Sequence, residues 1–341
     1  MTKTLAGGLD RLGQWQAWLD KRHELPLDTD LPIIDPHHHL WDRAGHTYLS
    51  REFLEDASGG HAVSATVYVE CRSNYRQQGP EHLRCVGETE FVCRLLCAPT
   101  QYAATKIGAG IVGFADLSLG GDVAEVLDAH VSAAGARFKG VRYATAWDSQ
   151  PEIHGSYPTR SGMLLEPMVQ AGARVLQSRG QSLDIWTYFH QLGDVWSLAK
   201  ACPDLNIVVD HCGGPIGLGS YAKCREQVFD RWRSALHKLR PLHNVSLKFG
   251  GLAMNLAGFA WRNREIPPES VDLAMAWRPY FNECLDVFGA DRCMFESNFP
   301  VDRTGCTYTS LWNAFKRLTA ELSDRERRAL FGATAQRVYR L

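Results

Sequence analysis

Eight short apolar runs recur along the chain, and no other feature limits its fold as much. They are Pro32–His37, Ala65–Glu70, Ala109–Leu117, Phe138–Ala144, Leu183–Phe189, Asn206–Asp210, Asn244–Phe249 and Arg292–Glu296. Each is continuously apolar or β-branched rather than alternating, the pattern of strands buried on both faces of a parallel sheet. Amphipathic stretches lie between several of them, at Pro80–Leu96, Asp122–Ala136, Asp194–Ala201, Tyr280–Phe288 and Thr309–Leu322. Eight strands alternating with helices predict an α/β fold, a (β/α)8 TIM barrel. No fixed sequence period and no low-complexity linker interrupts the series. The expected organisation is therefore a polar N-terminal extension over residues 1–30 and a single barrel over 31–341.

Polar residues gather where the runs end: His37, His38 and His39, then Glu70, Arg142, His190, Asp210, His211, Lys248 and Asn298. In a barrel the C-terminal ends of the strands meet at one mouth, where active sites form. Strand side chains alternate, so His37 and His39 point to one side and His38 to the other. Two imidazoles on one side can hold a divalent cation through nitrogen. The cations Arg142 and Lys248 would orient a carboxylate or polarise a carbonyl. They could equally form ion pairs with Glu70 or Asp210. Loop aromatics, among them Trp41, Trp147 and Tyr157, suit a flat or cyclic organic molecule.

The segment Ile34-Asp35-Pro36-His37-His38-His39-Leu40-Trp41-Asp42 resembles the first-strand signature of the amidohydrolase-related (amidohydrolase 2) barrels. That family includes sugar lactonases and 2-pyrone-4,6-dicarboxylate lactonase. Five further segments agree, including Asp210-His211-Cys212-Gly213-Gly214-Pro215 and Phe295-Glu296-Ser297-Asn298-Phe299-Pro300. The resemblance implies a hydrolase that opens a small cyclic ester. It implies catalytic roles for His37, His39, His211, Arg142 and Asn298, and substrate contacts from Glu70, Arg142, Lys248, Trp147 and Tyr188. It also implies a divalent cation, zinc or manganese, on His37, His39, His190 and His211. His190 stands one position away from the place relatives use. Where the superfamily carries an aspartate in the eighth strand, this chain carries Asn298. An amide cannot accept a proton at neutral pH and brings no charge to a cation, so the site is expected to hold metal weakly or not at all. Restoring a carboxylate at 298 is then expected to tighten it. Glu296 and Asp302 are the nearby carboxylates that could act as base. Two other readings stay open: a metal-dependent decarboxylase on the same scaffold, and a catalytically weak small-molecule binder.

Lys plus Arg number 37 and Asp plus Glu 38, a net charge of −1, which argues against nucleic acid or anionic membrane as a partner. No apolar run approaches the roughly 18 residues of a membrane span. The chain is expected in the cytoplasm with a small-molecule substrate, cyclic and carboxylated or aromatic. A homo-oligomer is left open.

Overall fold

A computed structural model describes residues 11–43, 45–97, 105–153, 155 and 157–341. Eight strands form one parallel sheet in chain order: β1 (Ile33–His38), β2 (Val63–Val69), β3 (Lys106–Gly113), β4 (Phe138–Ala144), β5 (Ser182–Trp186), β6 (Asn206–Val209), β7 (Val245–Phe249) and β8 (Cys293–Phe295). The chain just beyond β8 closes the ring onto β1. The Asn298 N–H donates to the His37 carbonyl at 2.9 Å, the His39 N–H donates to the Phe299 carbonyl at 2.8 Å, and His38 pairs in parallel with Phe299. The expected (β/α)8 TIM barrel is what forms.

The helices are α1 (Arg11–Leu19), α2 (Ser50–Ala57), α3 (Val86–Cys97), α4 (Val123–Ala134), α5 (Pro167–Ser178), α6 (Leu192–Ala201), α7 (Arg225–His237), α8 (Ser270–Phe288), α9 (Tyr308–Leu318), α10 (Asp324–Arg328) and α11 (Thr334–Tyr339). Apolar residues pack in two layers. Val67, Val69, Val112, Val208 and Met294 fill the barrel with Ala335, Val338 and Tyr339, while the larger layer lies between strands and outer helices. Here α11 covers the end opposite the mouth. The Val338 carbonyl accepts from Asn206 at 3.0 Å, and the Arg340 carbonyl accepts from Lys139 at 3.0 Å; both donors stand near strand starts.

Several elements differ from the sequence reading, and for three of them the local reason is plain. Helix α8 begins ten residues before the expected Tyr280, because Pro279 inside it reads as a break. Helix α7 buries only Val228, Trp232 and Leu236, a seam too narrow to stand out among its charges. Strand β5 ends at Trp186 rather than Phe189. The Gln191 side chain accepts the Trp147 N–H at 2.9 Å and the Tyr188 N–H at 3.4 Å, turning the chain off the sheet.

Residues 15–28 lie across α8 and α9. The Glu24 carboxylate accepts from the Ser270 N–H at 2.7 Å, the Ser310 hydroxyl at 2.8 Å and the Asn313 amide at 3.2 Å. Lys316 donates to the carbonyls of Leu27 and Asp28. Among the described residues no helix is long and apolar enough to cross a membrane.

Candidate active site

The mouth gathers three imidazoles. His37 and His39 face inward with their Nε2 atoms 3.3 Å apart, and the His37 and His211 rings lie 4.6 Å apart. His38 points the other way, donating to or accepting from the Thr66 hydroxyl at 2.8 Å and stacking on Phe53. The β1 alternation thus sorts the three as the sequence predicts. All three are buried, and burial pushes each ring well below its usual range, so they are neutral.

Partners assign the tautomers. The His39 Nδ1–H donates to the Val69 carbonyl at 2.8 Å, which leaves its Nε2 with a lone pair. The His211 Nδ1–H donates to Glu296 Oε1 at 2.6 Å, leaving its Nε2 bare as well. Burial alone would raise the Glu296 carboxyl. The His211 and His37 imidazoles overcome this and hold it at about 2, so Glu296 is a carboxylate at neutral pH. Two glycines make room for the pair. A Cβ on Gly250 would stand 2.4 Å from Glu296 Cγ, and one on Gly251 would stand 2.6 Å from His211 Cβ. His211, Cys212 and Asn298 all adopt left-handed backbone, with φ of 52°, 56° and 53°. Non-glycine residues reach that region at a cost, and such residues collect at functional sites.

Lys248 lies below His37, fully buried. Its Nζ is 2.6 Å from Asp184 Oδ2, 3.0 Å from Asp210 Oδ1 and 3.2 Å from His37 Nδ1. Burial works against its charge, and the two aspartates more than offset this. Tyr339 donates to Asp184 at 2.6 Å from beneath. All three contacts are with buried side chains, which ties Lys248 to the barrel interior as well as to His37. An aspartate inside the apolar run Leu183-Asp184-Ile185-Trp186 was the available signal for this network.

Arg142 closes another side. Its Nε donates to Glu70 Oε1 at 2.8 Å, and its Nη2 donates to the Glu70 carbonyl and to the Tyr157 hydroxyl. Glu70 is thus the partner of Arg142 and has no exposed surface of its own. Asn298 is buried beside Asp302, its Nδ2 donating to Asp302 Oδ1 at 3.1 Å. Burial pushes the Asp302 carboxyl up to about 7.

Other expected residues fall elsewhere. His190 sits in the turn after β5, donating from Nε2 to the Trp147 carbonyl at 3.0 Å, and the structure does not bring it to the three imidazoles. The early end of β5 is the reason. Trp186 takes the place nearest the cluster, 4.7 Å from the His211 ring. The Tyr188 hydroxyl donates to the Ile153 carbonyl at 2.7 Å, and the Trp147 main chain is held by Gln191 and His190. These bonds tie the loops after β4 and β5 together.

The donor set fits a divalent cation. Two nitrogens at tetrahedral positions about 2.0–2.1 Å from one zinc ion stand roughly 3.3 Å apart, the spacing of the His37 and His39 Nε2 atoms. A cation there needs the His37 proton on Nδ1. Glu296 Oε2, 2.8 Å from that nitrogen and otherwise without a hydrogen-bond partner, is the acceptor for it. A carboxylate behind a ligating imidazole is a common support in such sites. His37, His211 and Glu296 also offer ligand atoms mutually within 4.8 Å.

The amidohydrolase family model matches residues 34–341. The chain is 31% identical over 337 residues to the uncharacterized protein y4mH of Sinorhizobium fredii, spanning 92% of this chain and 100% of that one. It is 26% identical over 326 residues to the L-fucono-1,5-lactonase of Burkholderia multivorans, spanning 90% and 96%. A crystal structure of a Burkholderia multivorans amidohydrolase with bound zinc superposes with a TM-score of 0.69 at 25% identity, covering 91% of this chain and 99% of that one. Barrel, histidine cluster and a family match over nearly the whole chain agree, and the chain belongs to the amidohydrolase family.

Proposed function

We propose that the chain hydrolyses a small cyclic ester, a lactone of an organic acid. The observation that carries the reading is the buried His211–Glu296 pair beside the paired Nε2 atoms of His37 and His39. It sets a proton acceptor next to a place for an electrophile-activating cation. Likeness to proteins named L-fucono-1,5-lactonase supports the choice of ester.

His211 is the base. Its Nε2 lone pair takes a proton from water as the water oxygen attacks the ester carbonyl carbon. Glu296, ionised and bonded to Nδ1, stabilises the imidazolium that forms, as the carboxylate does in a Ser-His-Asp triad. The ring C–O bond then breaks and the imidazolium returns the proton to the ring oxygen. The product is a hydroxy acid, which ionises and releases one proton. Arg142, held on Nε and Nη2 by Glu70 and Tyr157, turns its remaining edge to the developing oxyanion or to an acid group of the substrate. A divalent cation, when held by His37 and His39, supplies Lewis acidity toward the carbonyl oxygen.

A panel of lactones in weakly buffered solution with a pH indicator tests this. Acid release is expected for at least one. On that lactone Arg142→Met should lower kcat/KM by roughly 10²–10³, the scale of one lost oxyanion donor. Arg142→Lys should recover part of it, because the ammonium keeps the charge and loses the fork. Carbon dioxide from a carboxylated ring, with no lactone opened, would replace hydrolysis by decarboxylation.

A further inference from the structure

Asn298 has an amide with two different ends, and the structure fixes which end goes where. Its Nδ2 meets Asp302 Oδ1 at 3.1 Å. Its Oδ1 is buried and accepts no hydrogen bond among the described residues. Asp302 is itself pinned. Its N–H donates to the Asn298 carbonyl at 3.1 Å, and its Oδ2 accepts the Ala253 N–H at 3.3 Å. Asn298 is 1% exposed and Asp302 0%. A carboxyl oxygen that accepts a hydrogen bond, as Asp302 Oδ1 does here, selects the NH2 end of the amide and turns the amide oxygen away from itself. Asn298 is tied to β1 through its N–H on the His37 carbonyl. The unpartnered Oδ1 thus sits on a residue whose main chain is bonded to His37.

We propose that Asp302 is a positioning residue. By holding Nδ2 it presents Asn298 Oδ1 to the His37–His39–His211 cluster, so that the two side chains act as one acceptor. This revises the simple charge argument from sequence. Putting a carboxylate at 298 does not restore a lone anion, because it faces Asp302 about 3 Å away, and two buried carboxylates at that distance cannot both ionise. The productive change is the exchange of the two residues, which keeps one acid and one amide.

Zinc affinity of metal-stripped full-length protein, read at pH 8 against a chromophoric chelator, separates the cases. Asp302→Asn should weaken zinc by about 10–100-fold, the usual effect of losing a group that orients a site. Asn298→Asp alone should give no gain. Asn298→Asp combined with Asp302→Asn should recover at least the wild-type affinity. A tenfold gain from Asn298→Asp alone, with Asp302→Asn unchanged, would overturn the proposal. The zinc arm rests on the cation reading above; a second measurement does not. The Asn298 side-chain amide signal is identified by its absence from the nitrogen–proton spectrum of Asn298→Ala. One of its protons should exchange slowly with solvent in the wild type and faster in Asp302→Asn. Equal, fast exchange of both protons in the wild type would overturn the assignment, whether or not zinc binds.

Discussion

At the scale of single residues, the mouth owes its chemistry to which nitrogen of each imidazole is occupied. If Glu296 keeps His211 poised as base, Glu296→Gln and His211→Asn should each lower kcat by about 10²–10⁴, the range for general base catalysis, with KM changed little. The double variant should be hardly worse than either alone, because the pair works as a unit. Steady-state kinetics on variants with wild-type melting curves decide this, and additive losses would separate the two residues. The ends of the strands made His37, His39, Arg142 and His211 legible, since polar groups there had nowhere to go but the mouth. Glu296 was visible as a candidate but not as the partner of His211. That contact joins residues 85 positions apart, through a gap that Gly250 and Gly251 leave open. The contacts of Lys248 were not legible, because a cation at the end of an apolar run looks the same whether it turns to the mouth or down into the barrel. Only Asp184 and Asp210 decide which.

At the scale of elements, His130 joins four of them. It lies on α4, stacks on Phe138 of β4 at 4.8 Å, and exchanges hydrogen bonds with Thr89 of α3 and the Phe114 carbonyl after β3, both at 2.8 Å. Burial lowers its pKa to about 4. The unfolded chain takes up a proton there below about 6.5, while the folded chain does so only near 4. Its contribution is thus full above the unfolded value and is lost as pH falls through that window, by on the order of 2–3 kcal/mol. Urea midpoints measured from pH 7 to pH 4.5 should fall more steeply for the wild type than for His130→Gln; parallel curves would show that His130 is not the group responsible. Element boundaries were legible where an apolar run ended cleanly, as at β4. They were not where a side chain from elsewhere cut the strand short, as Gln191 does at β5.

At the scale of the whole molecule, residues 15–28 fasten α8 to α9. Glu24 faces the first turn of α8, where free N–H groups and the helix dipole favour an anion. Burial raises its carboxyl, and the Ser270, Ser310 and Asn313 bonds outweigh this and lower it. A lowered carboxyl stabilises above its unfolded pKa and loses that effect as pH falls. Glu24→Gln should therefore lower Tm by about 1–2 °C at pH 7, as for a loss near 1 kcal/mol, and by less at pH 4. Scanning calorimetry at the two pH values checks it, and an equal drop at both would mean that the charge is not what matters. The barrel as a whole was legible because eight buried strands leave few other ways to cover both faces of a parallel sheet. How the chain before β1 packs was not, because its polar contacts lie more than 240 residues away in sequence.

Tyr339 gives the far end of the chain a say in what happens at the mouth. Its hydroxyl is the lowest rung of a ladder that climbs through Asp184 and Lys248 to His37. A ribosome that stops just before Tyr339 would still have made every strand, every histidine and the whole mouth. It would leave Asp184 one donor short and Lys248 without the ring 5.5 Å from its ammonium. Such a protein would look finished from the side where substrate enters and be miswired underneath, so a nonsense change at codon 339 should behave like an active-site lesion.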